Sequence, residues 1–174
     1  MTSRETDEFN ALRATIRERG TARVYVFAGG IAGWAALTIA TAALASTPVA
    51  SLLPLLVLAS VFEAVFALHV GVERIGRYLQ VFHETDGGWE HAAMAFGRPP
   101  GAVTTDALFT VPFLVAALFN LAPALILDPA RVELIFVGGA HALFVLRLLV
   151  ARHAAGRQRA IDLKRFEELR DRQA

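Results

Sequence analysis

Four long apolar runs separated by short polar stretches dominate the pattern of this chain. They cover Val24–Ala45, Val49–Val70, Ala107–Leu127 and Val132–Val150. Each is close to the ~20 residues a helix needs to cross a bilayer core. In hydrocarbon a helix satisfies its own backbone hydrogen bonds, so the pattern predicts an all-α, polytopic membrane protein with four transmembrane helices. The turns Ser46-Thr47-Pro48 and Asp128-Pro129-Ala130-Arg131 pair the spans into two hairpins. Residues 1–174 are then one four-helix membrane domain, with polar segments at 1–23, 71–106 and 151–174.

Those polar segments carry a helical period of their own. In Gly71–Glu84, the residues Val72, Ile75, Leu79 and Phe82 recur at three- and four-residue spacing, which places them on one helix face. This predicts an amphipathic helix continuing span two, with Arg74, Arg77, Tyr78 and, in the segment beyond, Trp89 as a cytoplasmic docking surface. The stretch beyond, with Gly87-Gly88 and Pro99-Pro100, reads mainly as loop with Trp89 at the interface. Phe9, Leu12 and Ile16 near the N-terminus, and Phe166 and Leu169 near the C-terminus, mark short cytoplasmic terminal helices.

Charge orients the spans. Arginines precede span one (Arg4, Arg13, Arg17, Arg19, Arg23), lie between spans two and three (Arg74, Arg77, Arg98) and follow span four (Arg152, Arg157, Arg159, Arg165, Arg170, Arg172). The two tight turns hold a single basic residue, Arg131. The positive-inside rule therefore predicts that both termini and the central segment are cytoplasmic. Basic residues beside a bilayer gain about 1 kcal/mol each from anionic headgroups, which makes such lipid an expected partner. Nucleic acid is not expected, because these arginines hug the membrane and no binding fold accompanies them. Ala43-Leu44-Ala45 has the spacing of a signal cleavage site, but the apolar run before it exceeds the roughly 7–15 residues of a signal. The first helix is expected to be retained.

Composition adds little. The chain is 55% hydrophobic with a mean hydropathy of +0.48, and its many alanines and arginines suit a GC-rich bacterial genome, hence an inner membrane. The absence of cysteine excludes disulfides, thiolate metal sites and cysteine nucleophiles.

Candidate chemistry lies in the polar residues of the spans, which are costly there and mark function by default. Glu63 in span two sits roughly 5–7 Å to the cytoplasmic side of the midplane, Arg147 in span four roughly 8–9 Å, and His141 near the middle, at 1.5 Å per residue. A charge at a helix centre costs about 2.5–3.5 kcal/mol on insertion scales, so matching depths predict a Glu63–Arg147 ion pair. His141 reads as a hydrogen-bonded core residue. Asn120, three residues before Pro123, is expected to satisfy a freed carbonyl or hold a neighbouring helix. His69 and His141 differ in depth, which argues against a shared haem. His69, Glu73, His83, Glu84 and His91 have metal-ligating side chains but match no metal-site spacing, so neither metal nor cofactor is expected. Gly29 and Gly33 in span one, and Gly138 and Gly139 in span four, form small-residue faces for close helix packing.

No nucleophile elbow, phosphate-binding loop or intramembrane protease site occurs, so an enzyme is not expected. The expectation is a small inner-membrane protein acting through protein contacts, either an accessory or scaffold subunit of a larger assembly or a homo-oligomer. The competing expectation is an oligomeric channel or proton-coupled transporter using Glu63, His141 and Arg147.

Overall fold

The computed structural model describes residues 3–84, 87–96 and 105–173, and every regular element among them is helical. The elements are α1 (Ser3–Leu44), a 3-10 turn (Pro48–Ser51), α2 (Leu52–Phe82), α3 (Trp89–Phe96), α4 (Thr105–Ile126) and α5 (Arg131–Gln173). Three stretches are long and apolar enough to cross a membrane: α1, the 3-10 turn with α2, and α5. Thr110–Ile126 of α4 makes a shorter apolar helix.

The terminal segments are not separate helices. No proline interrupts the chain near Arg23 or Arg152, and the lone glycines there, Gly20 and Gly156, stay helical, so α1 and α5 each run on from apolar to polar sequence as one rod of 42 and 43 residues. At 1.5 Å per residue each is about 63 Å long, about twice a bilayer core. The helix α2 likewise extends through the amphipathic segment to Phe82. The expected loop beyond it contains the eight-residue α3, starting at Trp89. Thr104, Thr105 and Asp106, whose side-chain oxygens suit capping at the start of the third apolar run, lie outside the described side chains.

The connections follow local chemistry. Pro48 starts the 3-10 turn, where its missing N–H costs nothing, and the Ser51 hydroxyl donates to the Pro48 carbonyl at 2.8 Å. Beyond α4, Asp128 takes a left-handed φ of 49°, which a short polar side chain tolerates better than a branched one. Glu133 then reaches back to accept from the Ala130 N–H at 3.0 Å, which caps α5.

The helix α2 is the axis of the bundle, with α1 packed along one side and α5 along another, while α4 closes on α5 and α2. The register is legible in pairs: Gly30 meets Val61, Arg23 meets His69 and Arg13 meets Glu84, so α1 runs antiparallel to α2. Glu63 meets Arg147 and Glu73 meets Arg159, so α5 runs parallel to α2. Leu58, Phe113 and Leu148 are fully buried between them. Phe62 is the hub, making edge contacts with Phe113 at 5.3 Å and Phe144 at 6.2 Å.

Candidate functional site

Arg147 and Glu63 meet side-on. Arg147 Nε lies 2.7 Å from Glu63 Oε1 and its NH2 group donates to Oε2 at 2.8 Å. Such a bidentate fork is the strongest form of this pairing. The Arg147 guanidinium also lies 5.5 Å from the Phe66 ring centre and 5.9 Å from that of Phe62, within cation–π range. The pair is nonetheless outside the core: the Glu63 side chain is 48% exposed and that of Arg147 42%. Apolar neighbours on the same helices, Leu56, Leu143 and Leu146, are exposed with it.

Asn120 and His141 are inside. Asn120 is 0% exposed and His141 4%. Trp34 Nε1 donates to Asn120 Oδ1 at 3.1 Å and Thr38 Oγ1 to the same atom at 3.4 Å. Asn120 Nδ2 donates to the Ser51 carbonyl at 2.9 Å and to His141 Nε2 at 3.0 Å. His141 Nδ1 donates to the Val137 carbonyl at 2.8 Å. An indole N–H only donates and a carbonyl only accepts, so these partners fix both the Asn120 orientation and the Nδ1–H tautomer of His141. Every polar atom of the two side chains has a partner, and the knot ties α1, the 3-10 turn, α4 and α5 together. Trp34, Thr38 and Ser51 were not anticipated from the sequence; one indole in a run of Ala and Gly was the available signal. Pro123 is not what Asn120 serves, since its hydrogen bonds go to neighbouring elements.

His141 and Arg147 point different ways. Six residues at about 100° each leave them roughly 120° apart around α5. A recess of about 40 Å³ lies between α2, α4 and α5, rimmed by His69 and Arg152 and floored by Phe62 and Phe113. Neither Glu63 nor His141 lines it.

At the end carrying the termini, the protruding parts of α1, α2 and α5 lace together through ions. Arg23 donates to His69 Nδ1 at 2.9 Å, and His69 Nε2 lies 3.7 Å from Glu73, whose other oxygen takes Arg159 Nε at 2.6 Å. Arg74 donates to Asp162 at 3.1 Å. Arg13 spans Glu84 at 3.2 Å and Glu90 at 2.8 Å, tying α1 to α3. Tyr78 donates to Glu8 at 2.7 Å and packs edge-on against Phe166 at 5.6 Å. The Glu8 carboxylate holds the phenol proton and, with burial, pushes the Tyr78 pKa from 10.0 up to about 12.

Part of the expected docking surface is engaged within the chain itself. Arg77 is buried, Arg74 is bound to α5 and Tyr78 to α1, because the amphipathic face of α2 is covered by the protein's own terminal helices. Trp89 stays well exposed, at 70%, and the Arg74 side chain remains exposed beside its contact with Asp162. The metal-ligating side chains are dispersed: arginines hold Glu73 and Glu84, the His83 ring packs on Phe9 and Tyr78 with its Nε2 buried and without a hydrogen bond, and His91 lies 3.7 Å from Glu84. Among the described residues no three His, Asp or Glu side chains converge as a metal site.

The small-residue faces lie outside the contacts made within the chain. A Cβ at Gly29, Gly33, Gly138 or Gly139 would meet nothing within 4 Å, so among the described residues no other helix packs closely against them. The close approach is at Gly30, where a Cβ would collide with the Val61 side chain.

The chain is thus an all-helical bundle with membrane-length apolar helices, a sealed polar knot and an ion pair on its outer face. No family model matches it, and no curated protein or solved structure does so either.

Proposed function

We propose that this chain is a four-span integral protein of the bacterial inner membrane that acts through protein contacts, as an accessory or scaffold subunit of a larger assembly or as a homo-oligomer. In this reading its two hairpins cross the bilayer with both termini in the cytoplasm. The arginine-rich flanks sit on anionic headgroups, and the three-helix stalk projects from the cytoplasmic face. The observation that carries the reading is the separation of the polar groups. Asn120 and His141 are sealed with every polar atom satisfied, whereas Glu63 and Arg147 face away from the bundle. A proton or ion path through one chain needs these groups along a common wetted route. A charged pair turned outward at membrane depth instead asks to be covered by another protein.

The test is gentle extraction from native membranes followed by mass measurement of the intact particle. Stoichiometric further subunits, identical or different, are the expected result. A monomer that conducts ions or protons in reconstituted vesicles, and stops doing so on Glu63→Gln, overturns the reading in favour of transport.

A further inference from the structure

We infer that the partner covering the Glu63–Arg147 face is a second copy of this chain, related by a two-fold axis along the bilayer normal. The inference rests on the protein-contact reading above and names the partner.

The argument is one of symmetry and charge. The helices α2 and α5 run parallel, and Glu63 and Arg147 lie side by side at one level between them. Rotating such a patch by half a turn about the normal and facing it with the original places each Glu63 opposite the other copy's Arg147. The patch is therefore complementary to itself, as an isologous interface requires. A different protein has to supply a matching acid and base at the same depth; a second copy does so by construction. Within one chain the guanidinium still has N–H groups to give and the carboxylate has lone pairs to receive them, and hydrocarbon offers neither. Two facing pairs close into a ring of four alternating charges that satisfies both.

The surroundings admit a close approach. One turn to either side of Glu63 lie Ser60 and Ala67, both exposed. Small side chains at such positions let helix backbones come together in lipid. On α5 the exposed Leu143 and Val150 bracket Arg147 and supply apolar packing above and below the charges.

The chain has no cysteine, so single substitutions make clean probes in native membranes. Ser60→Cys and Ala67→Cys leave the ion pair intact and are expected to cross-link to themselves at twice the chain mass. Ile39→Cys on α1 and Leu118→Cys on α4, exposed on other helices, are expected not to. A second experiment co-expresses differently tagged Glu63→Ala and Arg147→Ala chains. A mixed pair regains one inter-chain contact, while in each homo-pair the remaining Arg147 or Glu63 faces the other copy's alanine and has no opposite charge across the interface, which is unfavourable. Mixed pairs are expected to outnumber homo-pairs by roughly tenfold or more.

Several results overturn the inference. Self-cross-linking through Ile39→Cys or Leu118→Cys but not Ser60→Cys means that the copies meet elsewhere, and the protein-contact reading survives. Cross-linking of Ser60→Cys to a chain of different mass assigns the face to another protein, again leaving that reading intact. Statistical mixing of the two tagged variants removes the ion-pair exchange. A monomer with no cross-link at any position overturns both proposals.

Discussion

Arg147 grips Glu63 with two nearly parallel contacts of 2.7 and 2.8 Å, yet the pair lies on the outer surface of the bundle rather than in its core. The two partners respond differently to the loss of the other. A guanidinium left alone keeps its charge in every surrounding, and a lone acid on a lipid-facing surface costs less than a lone base. Glu63→Gln is therefore expected to cost roughly 2.5–3.5 kcal/mol, the insertion penalty of an unpaired charge. Arg147→Gln is expected to cost less, and the double variant less than Glu63→Gln alone. Thermal unfolding of the four proteins in lipid nanodiscs completes the cycle. Equal single-variant costs that simply add would mean that the fork contributes no coupling.

Asn120 is the single side chain whose removal unties most of the bundle. Hydrogen bonds between membrane helices contribute about 0.6 kcal/mol on average and up to about 1.7, and four of them end on Asn120. Asn120→Ala also strands the Trp34 N–H, the Ser51 carbonyl and His141 Nε2, so a loss of roughly 2–4 kcal/mol is expected. Trp34→Phe, which removes one donor, is expected to cost a fraction of that. Nitrogen NMR of His141 should show the proton on Nδ1. A variant melting within about 0.5 kcal/mol of the parent would show that the knot is dispensable.

Sequence pattern carried three membrane-length apolar helices and the matching levels that bring Glu63 to Arg147, because both depend on counting along a helix. It did not carry what covers an amphipathic face. The period of Val72, Ile75, Leu79 and Phe82 is the same whether lipid, a partner or the chain's own helices lie over it. The charges flanking each span mark a membrane edge, not a helix end, and so concealed the continuity of α1 and α5 through Arg23 and Arg152. Small residues were only partly informative for a related reason. Spacing put Gly29, Gly30 and Gly33 along one run, but only the three-dimensional crossing point, opposite Val61, singles out Gly30.

That crossing makes a sharp prediction. A methyl group at Gly30 has to displace the Val61 side chain, which is branched at Cβ and stiff in a helix. Gly30→Ala is expected to destabilise by roughly 1–3 kcal/mol, in the range of core overpacking. Gly33→Ala, which meets open space, is expected to be neutral or slightly stabilising through helix propensity. Val61→Ala in the Gly30→Ala background should recover part of the loss. Denaturant titration of all three in mild detergent tests the contact, and equal tolerance of alanine at both glycines would place the α1–α2 contact elsewhere.

The stalk is expected to loosen in alkali through Tyr78. Its phenol keeps its proton longer when folded, because Glu8 accepts the hydrogen bond and repels the phenolate charge, raising the pKa from 10.0 to about 12. A group whose folded pKa is raised contributes stability that is complete below its unfolded pKa and lost as pH climbs through the folded one. The window is therefore about pH 10 to 12. The chain has two tyrosines, so in a Tyr25→Phe background the phenolate absorbance reports Tyr78 alone. Its midpoint is expected near 12 in the folded protein, and Glu8→Ala should bring it down. Because Glu8 is near the start of α1 and Tyr78 lies on α2, the same titration reports whether the N-terminal end of α1 is docked. A midpoint indifferent to Glu8→Ala would mean that this end of α1 stands away from the stalk.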